Sequence, residues 1–284
     1  MSLARLITAS QLAERLSQPD PRILDCRFSL DNPTLGRSRY AEGHIPGACF
    51  ADLEKDLSGP VIKGKTGRHP LPAPLDLQAR LREWGISQDS TVVLYDDGPT
   101  AFATRAWWLL TWLGKRDNVY VLDGGFQAWL AAGLPVTTEV STPPKGHFTA
   151  QPDPGLVLSA EELRQRLQDP ELTLVDARAL PRFRGDIEPL DPVAGHIPGA
   201  RCAPFSDNLD STGRFLPADQ LRYRFGRLLE GRYPEHLVAY CGSGVTACHN
   251  LFALSLAGLP LVPLYAGSWS EWITDPARPT AKGD

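Results

Sequence analysis

The sequence predicts an α/β protein of two tandem domains, each a mostly parallel sheet flanked by helices. Three observations carry this expectation: a six-residue segment occurs twice, apolar runs alternate with amphipathic runs in each half, and a proline-rich stretch separates the halves.

The repeat is Gly43-His44-Ile45-Pro46-Gly47-Ala48, which returns unchanged as Gly195-His196-Ile197-Pro198-Gly199-Ala200. Three other echoes keep the same order. Ile23-Leu24-Asp25-Cys26-Arg27 matches Leu174-Val175-Asp176-Ala177-Arg178, Val93-Leu94-Tyr95 matches Val238-Ala239-Tyr240, and Leu122 to Trp129 loosely matches Leu264 to Trp272. Four ordered echoes indicate duplication, and two copies at so long a period mean two domains rather than a solenoid. The stretch 141–155 holds Pro143, Pro144, Pro152, Pro154 and two glycines, the composition of a linker. The expected division is 1–140 without a catalytic cysteine, 141–155 as linker, and 156–284 as the catalytic domain.

Within the second copy, Ser159-Ala160-Glu161-Glu162 has capping-box spacing and precedes Leu163 and Leu167 at i and i+4, so a helix starts there. Leu172-Thr173-Leu174-Val175 and Leu237-Val238-Ala239-Tyr240 read as buried strands. A Gly-rich turn then leads into a helical run from Thr246 to Ala257. Alternating strands and helices imply a parallel sheet covered on both faces, with ligands at the carboxyl ends of the strands. Cys241 stands at such an end.

Composition sets limits. The net charge of −4 shows no basic excess, so no nucleic-acid partner is expected. The most apolar stretch, Leu251 to Leu264, is interrupted by Ser255, Gly258, Pro260 and Pro263. Residues Met1 to Leu16 lack the continuous apolar core of a signal peptide. No membrane association is expected. The five cysteines, Cys26, Cys49, Cys202, Cys241 and Cys248, are odd in number and fit no zinc spacing. That pattern points to reduced thiols in a cytoplasmic setting and to no metal.

Each half is a control for the other. Features found twice serve folding: the His44 and His196 segments fix turns, and Asp25 with Arg27 and Asp176 with Arg178 form ion pairs. Features found once are candidates for chemistry. The second half reads Tyr240-Cys241-Gly242-Ser243-Gly244-Val245-Thr246, whereas the first reads Tyr95-Asp96-Asp97-Gly98-Pro99-Thr100-Ala101. Asp96 stands in place of Cys241, and Pro99 removes a backbone N–H, so the first half is expected to lack both nucleophile and amide cradle.

A free thiol is mostly protonated at neutral pH, with a pKa of about 8.5. At a helix N-terminus, unpaired N–H groups and the helix dipole favour the thiolate. Gly242 and Gly244 let the backbone curl so that several amides face one point, and Ser243 and Thr246 add hydroxyls. The same cradle suits a persulfide anion. Cys248 is expected in the core, and His249 at the surface or in a capping role. Arg182 lacks a twin and follows a strand end in the catalytic half, where its fork could hold a carboxylate or sulfonate.

Together, the duplication, the two Gly-His-Ile-Pro-Gly-Ala segments and the Cys241 to Thr246 loop resemble the tandem-domain rhodaneses over essentially the whole chain. The loop is most similar to that of 3-mercaptopyruvate sulfurtransferases; thiosulfate-type members carry basic residues where Gly242 and Ser243 stand. The resemblance implies that Cys241 is the nucleophile and persulfide carrier. It makes Gly242, Ser243, Gly244, Val245 and Thr246 the cradle, Ser243 a hydroxyl near the leaving group, and Arg182 a ligand of the substrate anion. It also implies that His44 faces the cleft and assists Ser243. The implied reaction is ping-pong, from 3-mercaptopyruvate or thiosulfate to a thiol, a thioredoxin-like protein or cyanide, with no cofactor. One departure is a second Arg usually found shortly before the second repeat, where this chain has Glu188-Pro189-Leu190-Asp191-Pro192. A cysteine phosphatase would need Arg at the sixth residue after the cysteine, where Ala247 stands. A non-enzymatic sulfur carrier is the remaining rival.

Overall fold

The computed structural model describes residues 3–17 and 21–284; the first two residues of the expected first domain and of the N-terminal stretch read for a signal peptide lie outside them. In the first half, β1 (Leu6–Ile7), β2 (Arg22–Asp25), β3 (Ala48–Phe50), β4 (Val92–Tyr95) and β5 (Val119–Leu122) form a sheet in the order β1-β5-β4-β2-β3, all parallel. In the second, β6 (Thr173–Asp176), β7 (Arg201–Cys202) and β8 (Leu237–Tyr240) lie in the order β7-β6-β8, again parallel. Parallel bridges from Ala239 to Leu264 and from Leu264 to Val157 extend this sheet in the order of the first half. The central strands β4, β6 and β8 are buried along their whole length, as their unbroken apolar runs require.

The duplicated motifs are fasteners. Arg27 pairs with Asp25 at 2.6 Å and donates to the Gly43 carbonyl at 2.7 Å; Arg178 pairs with Asp176 at 2.7 Å and donates to the Gly195 carbonyl at 2.7 Å. Each pair ties a strand end to its repeated segment. His196 stacks on Phe183, with Nδ1 2.8 Å from the Phe183 carbonyl. His44 does the same on Tyr40, with Nδ1 2.7 Å from the Tyr40 carbonyl and Nε2 3.0 Å from the Glu139 carbonyl. The expectation that His44 faces the cleft is therefore corrected: main-chain carbonyls meet both ring nitrogens, and the ring is wholly buried.

The helix at Ser159 begins as its spacing predicts, with the Glu162 N–H bonded to Ser159 Oγ and the Ser159 N–H to Glu162 Oε2. Residues 141–153 cross the first half without helix or strand. Gly146 N–H bonds the Arg82 carbonyl, Gln151 N–H bonds the Leu113 carbonyl, and Phe148 is buried.

The halves meet along two helices, Ala101–Trp112 and Thr246–Leu256, which follow the equivalent strands β4 and β8. The Trp107 ring meets Phe252 edge-on at 4.9 Å, and one apolar core runs through both halves. The second helix is buried on nearly every side because it is wedged between its own sheet and the other half. That corrects the surface position expected for His249. Its Nε2 lies 3.2 Å from Thr100 Oγ1 of the first half, its Nδ1 lies 3.0 Å from Asn208 Nδ2, and its ring stacks on Phe215.

Candidate active site

Cys241 is the first residue after β8, at the carboxyl edge of the sheet, and its side chain opens at the base of a pocket of about 320 Å³. Its Sγ accepts the Gly244 N–H at 3.1 Å. The loop is fastened from behind: Cys241 N–H bonds Ser268 Oγ at 3.1 Å, and the carbonyls of Cys241 and Gly242 accept from the Trp269 and Ser270 N–H groups. Gly244 has φ +77° and packs so closely that a β-carbon would lie 2.3 Å from the Ala266 carbonyl oxygen. No other residue fits this turn, and the turn aims the Gly244 amide at the sulfur. Val245 and Thr246 line the pocket where the helix begins.

The pocket has two kinds of wall. Leu30, Pro99, Phe102 and Phe205 make one apolar; Arg68, Arg178 and Arg182 make the other cationic. Arg178 is committed to Asp176. Arg182 bonds Glu188 at 2.7 Å and reaches Asp191 at 3.3 Å, and Arg68 pairs with the other oxygen of Asp191. A β-carbon on Gly242 would lie 3.0 Å from Arg68 Nη2 and 3.6 Å from Arg182 Nη1, so both guanidinium groups stand over the loop. The loop itself carries no cation. The second guanidinium, absent from 188–192, comes from the first half of the chain.

His69 was not anticipated either. Its Nδ1 lies 2.8 Å from Ser243 Oγ, in the place expected for His44. Burial, reinforced by the nearby Arg105 and Arg68 charges, lowers its pKa to about 3, so the ring is neutral near pH 7. A neutral imidazole can orient the serine hydroxyl without adding charge to the pocket.

The description "Rhodanese-like domain" matches residues 8–132 and again 159–275. The chain belongs to the rhodanese family. It is 66% identical over its whole length to the whole of a Pseudomonas aeruginosa protein named "Probable 3-mercaptopyruvate sulfurtransferase". It is 37% identical to the mouse thiosulfate sulfurtransferase, over 94% of this chain and 91% of that one. The structure of 3-mercaptopyruvate sulfurtransferase from Leishmania major superimposes with a TM-score of 0.82 at 32% identity, covering 95% of this chain and 74% of the other.

The corresponding turns of the two rhodanese domains hold different occupants on different donors. After β4, the buried Asp96 carboxylate accepts the N–H groups of Gly98, Thr100, Phe102 and Ala103 at 2.9 to 3.3 Å. Pro99 stands where Gly244 stands in the second domain and lacks the N–H that meets the Cys241 sulfur there, so the Asp96 donors come from the neighbouring residues. Burial pushes the Asp96 pKa up to about 6 against the pull of those amides. The turn of the first rhodanese domain is thus filled by its own carboxylate, whereas in the second the Gly244 amide meets the sulfur of Cys241.

The buried histidines predict acid sensitivity. His69 and His249 both have pKa values lowered to about 3, with burial the leading cause. Their unfolded value is about 6.5, so below that pH the unfolded chain binds protons that the folded chain refuses. Stability is present above pH 6.5 and is lost as pH falls toward 3, by about 2 kcal/mol per histidine at pH 5. Urea unfolding at pH 7.5 and pH 5 is expected to show this loss, reduced in His249→Gln; equal stabilities at the two pH values would contradict it.

Proposed function

We propose that the protein is a sulfurtransferase that takes sulfur from 3-mercaptopyruvate onto Cys241 and passes it from the persulfide to a thiol, a thioredoxin-like protein or cyanide. The carrying observation is the Cys241 sulfur on the Gly244 amide, at the base of a pocket overhung by Arg68 and Arg182. The names of the Pseudomonas and Leishmania relatives support the donor.

The chemistry follows from these groups. The Gly244 amide donates to the Cys241 sulfur, and the nucleophile is the thiolate form of that sulfur. Arg182 and Arg68 hold the donor carboxylate, and the donor ketone lies toward Ser243. The thiolate attacks the donor sulfur, the C–S bond breaks, and its electron pair leaves on pyruvate as the enolate. Ser243, backed by His69, donates to the enolate oxygen, an electrostatic stabilisation confined to the step in which charge develops. The enolate takes a proton and departs as pyruvate, leaving Cys241–S–SH. An acceptor nucleophile then attacks the outer sulfur and restores the thiolate. None of these steps needs a cofactor.

A second reading, with thiosulfate as donor, is favoured by the likeness to the mouse enzyme. Charge balance argues against it. Arg68, Arg178 and Arg182 face Asp176, Glu188 and Asp191, a cluster with no net charge. It accommodates one added carboxylate more readily than a dianion whose leaving group is sulfite. Steady-state kinetics with both donors in parallel test the choice: kcat/KM is expected to be higher with mercaptopyruvate, and a higher value with thiosulfate would reverse the assignment.

Among the described residues, no helix is long and apolar enough to cross a membrane. A reducing, cytoplasmic setting for the enzyme rests on the cysteine pattern of the sequence.

A further inference from the structure

Arg105 belongs to the helix Ala101–Trp112 of the first rhodanese domain and is 0% exposed. Among the described residues no carboxylate pairs with it. Its Nη1 donates to the Gly244 carbonyl at 3.0 Å and its Nη2 to the His69 carbonyl at 3.3 Å, while its Nε has no hydrogen-bond partner. Both carbonyls belong to the site: Gly244 supplies the amide that meets the Cys241 sulfur, and His69 meets Ser243.

A guanidinium stays protonated in proteins, and burying one without a counter-ion costs far more than two carbonyl contacts return. A compensating anion is therefore needed nearby. Two groups able to carry a negative charge lie close enough to interact with Arg105, the thiols of Cys248 and Cys241. Cys248 is unsuitable. Burial pushes its thiol up to about 12, and its Sγ donates to the same Gly244 carbonyl at 3.3 Å. The sulfur of Cys241 remains.

We propose that Arg105 is the counter-ion of the sulfur anion on Cys241, acting from behind the loop through the Gly244 peptide as a positioning residue. The cation crosses the domain interface, so the rhodanese domain without a nucleophile supplies charge to the domain that has one. The other charged groups around Cys241 lie on the pocket side. There Arg68, Arg178 and Arg182 are offset by Asp176, Glu188 and Asp191, and His69 is neutral. Arg105 is the cation without such an offset. The proposal rests on Cys241 being the sulfur-bearing nucleophile, and it is independent of the donor.

The test is the pH dependence of Cys241 alkylation by iodoacetamide, followed on the Cys241 peptide by mass spectrometry in wild type, Arg105→Gln and Arg105→Lys. An opposite charge at this range moves a pKa by about one to three units. The midpoint in Arg105→Gln is expected to rise by about one unit or more, and Arg105→Lys is expected to restore most of it. Turnover by Arg105→Gln should fall in kcat, with donor KM little changed, and should recover as pH is raised. An unshifted midpoint in folded Arg105→Gln, or equal rises in both variants, would overturn the proposal. The wild-type protein gives a second readout. Capping Cys241 with iodoacetamide removes its anion, whereas loading it with sulfur from inorganic polysulfide keeps one, so Tm of the loaded protein should exceed that of the capped protein; equal or reversed values overturn the proposal even if Arg105→Gln does not fold. Neither readout uses an organic donor. Failure to turn over mercaptopyruvate beside a shifted midpoint would overturn the donor assignment and support this one, whereas normal turnover beside an unshifted midpoint would overturn this one alone.

Discussion

Cys241→Ser is expected to abolish sulfur transfer, whereas Cys248→Ser is expected to keep most of it. Both side chains are buried and both lie near Gly244, so burial and sequence proximity do not separate them. Hydrogen-bond direction does. The Cys241 sulfur accepts from the Gly244 amide, which favours the thiolate; the Cys248 sulfur points at the Gly244 carbonyl, which favours the protonated thiol. A serine at 241 fits the space, but its alkoxide is not accessible near neutral pH and forms no persulfide. Steady-state rates in folded variants check this, and equal loss in both would contradict a single nucleophile.

The second large effect is expected at Arg182. A charge-assisted contact is worth about 1.5–3 kcal/mol, so Arg182→Ala should raise donor KM roughly tenfold to a hundredfold. The structure favours the lower end of that range, because Arg68 also stands over Gly242 and would remain. The acceptor KM should not change, since the acceptor meets the persulfide after pyruvate has left. Part of the effect is indirect: without Arg182, the ion pairing of Glu188 falls to its 3.4 Å contact with Arg178, and the 188–191 loop loses an anchor. Kinetics matching wild type with both mercaptopyruvate and thiosulfate would remove Arg182 from the site.

The fold was legible because its signals are local. Duplicated segments, capping spacing at Ser159 and strand-length apolar runs each act within a few residues, and the structure places them accordingly. Cys241 was legible for the same reason, since its cradle is built from its own next few residues. Arg68 and His69 were not, because they lie on a loop before β4 and reach Ser243 and Gly242 only when the domains pack. A signal was nonetheless present. His44 has a twin in His196, and the pair proved structural; Arg68 has one in Arg214, within Thr66-Gly67-Arg68 and Thr212-Gly213-Arg214, but Phe215 follows Arg214 where His69 follows Arg68, so His69 carries the mark that singled out Cys241 and Arg182. His249 was misplaced because helical periodicity assumes one solvent-facing side, and this helix has almost none. The amides around Asp96 were not read from the sequence because they come from residues 98, 100, 102 and 103, whereas the amide Pro99 lacks is the equivalent of the one that meets Cys241.

The most direct test of the mechanism is the mass of the protein after incubation with 3-mercaptopyruvate in the absence of any acceptor. The account predicts one added sulfur atom, located on the peptide that contains Cys241, absent from Cys241→Ser and removed by a thiol or cyanide with return of the starting mass. An unchanged mass while pyruvate accumulates, or the added sulfur on the peptide that contains Cys248, would contradict it.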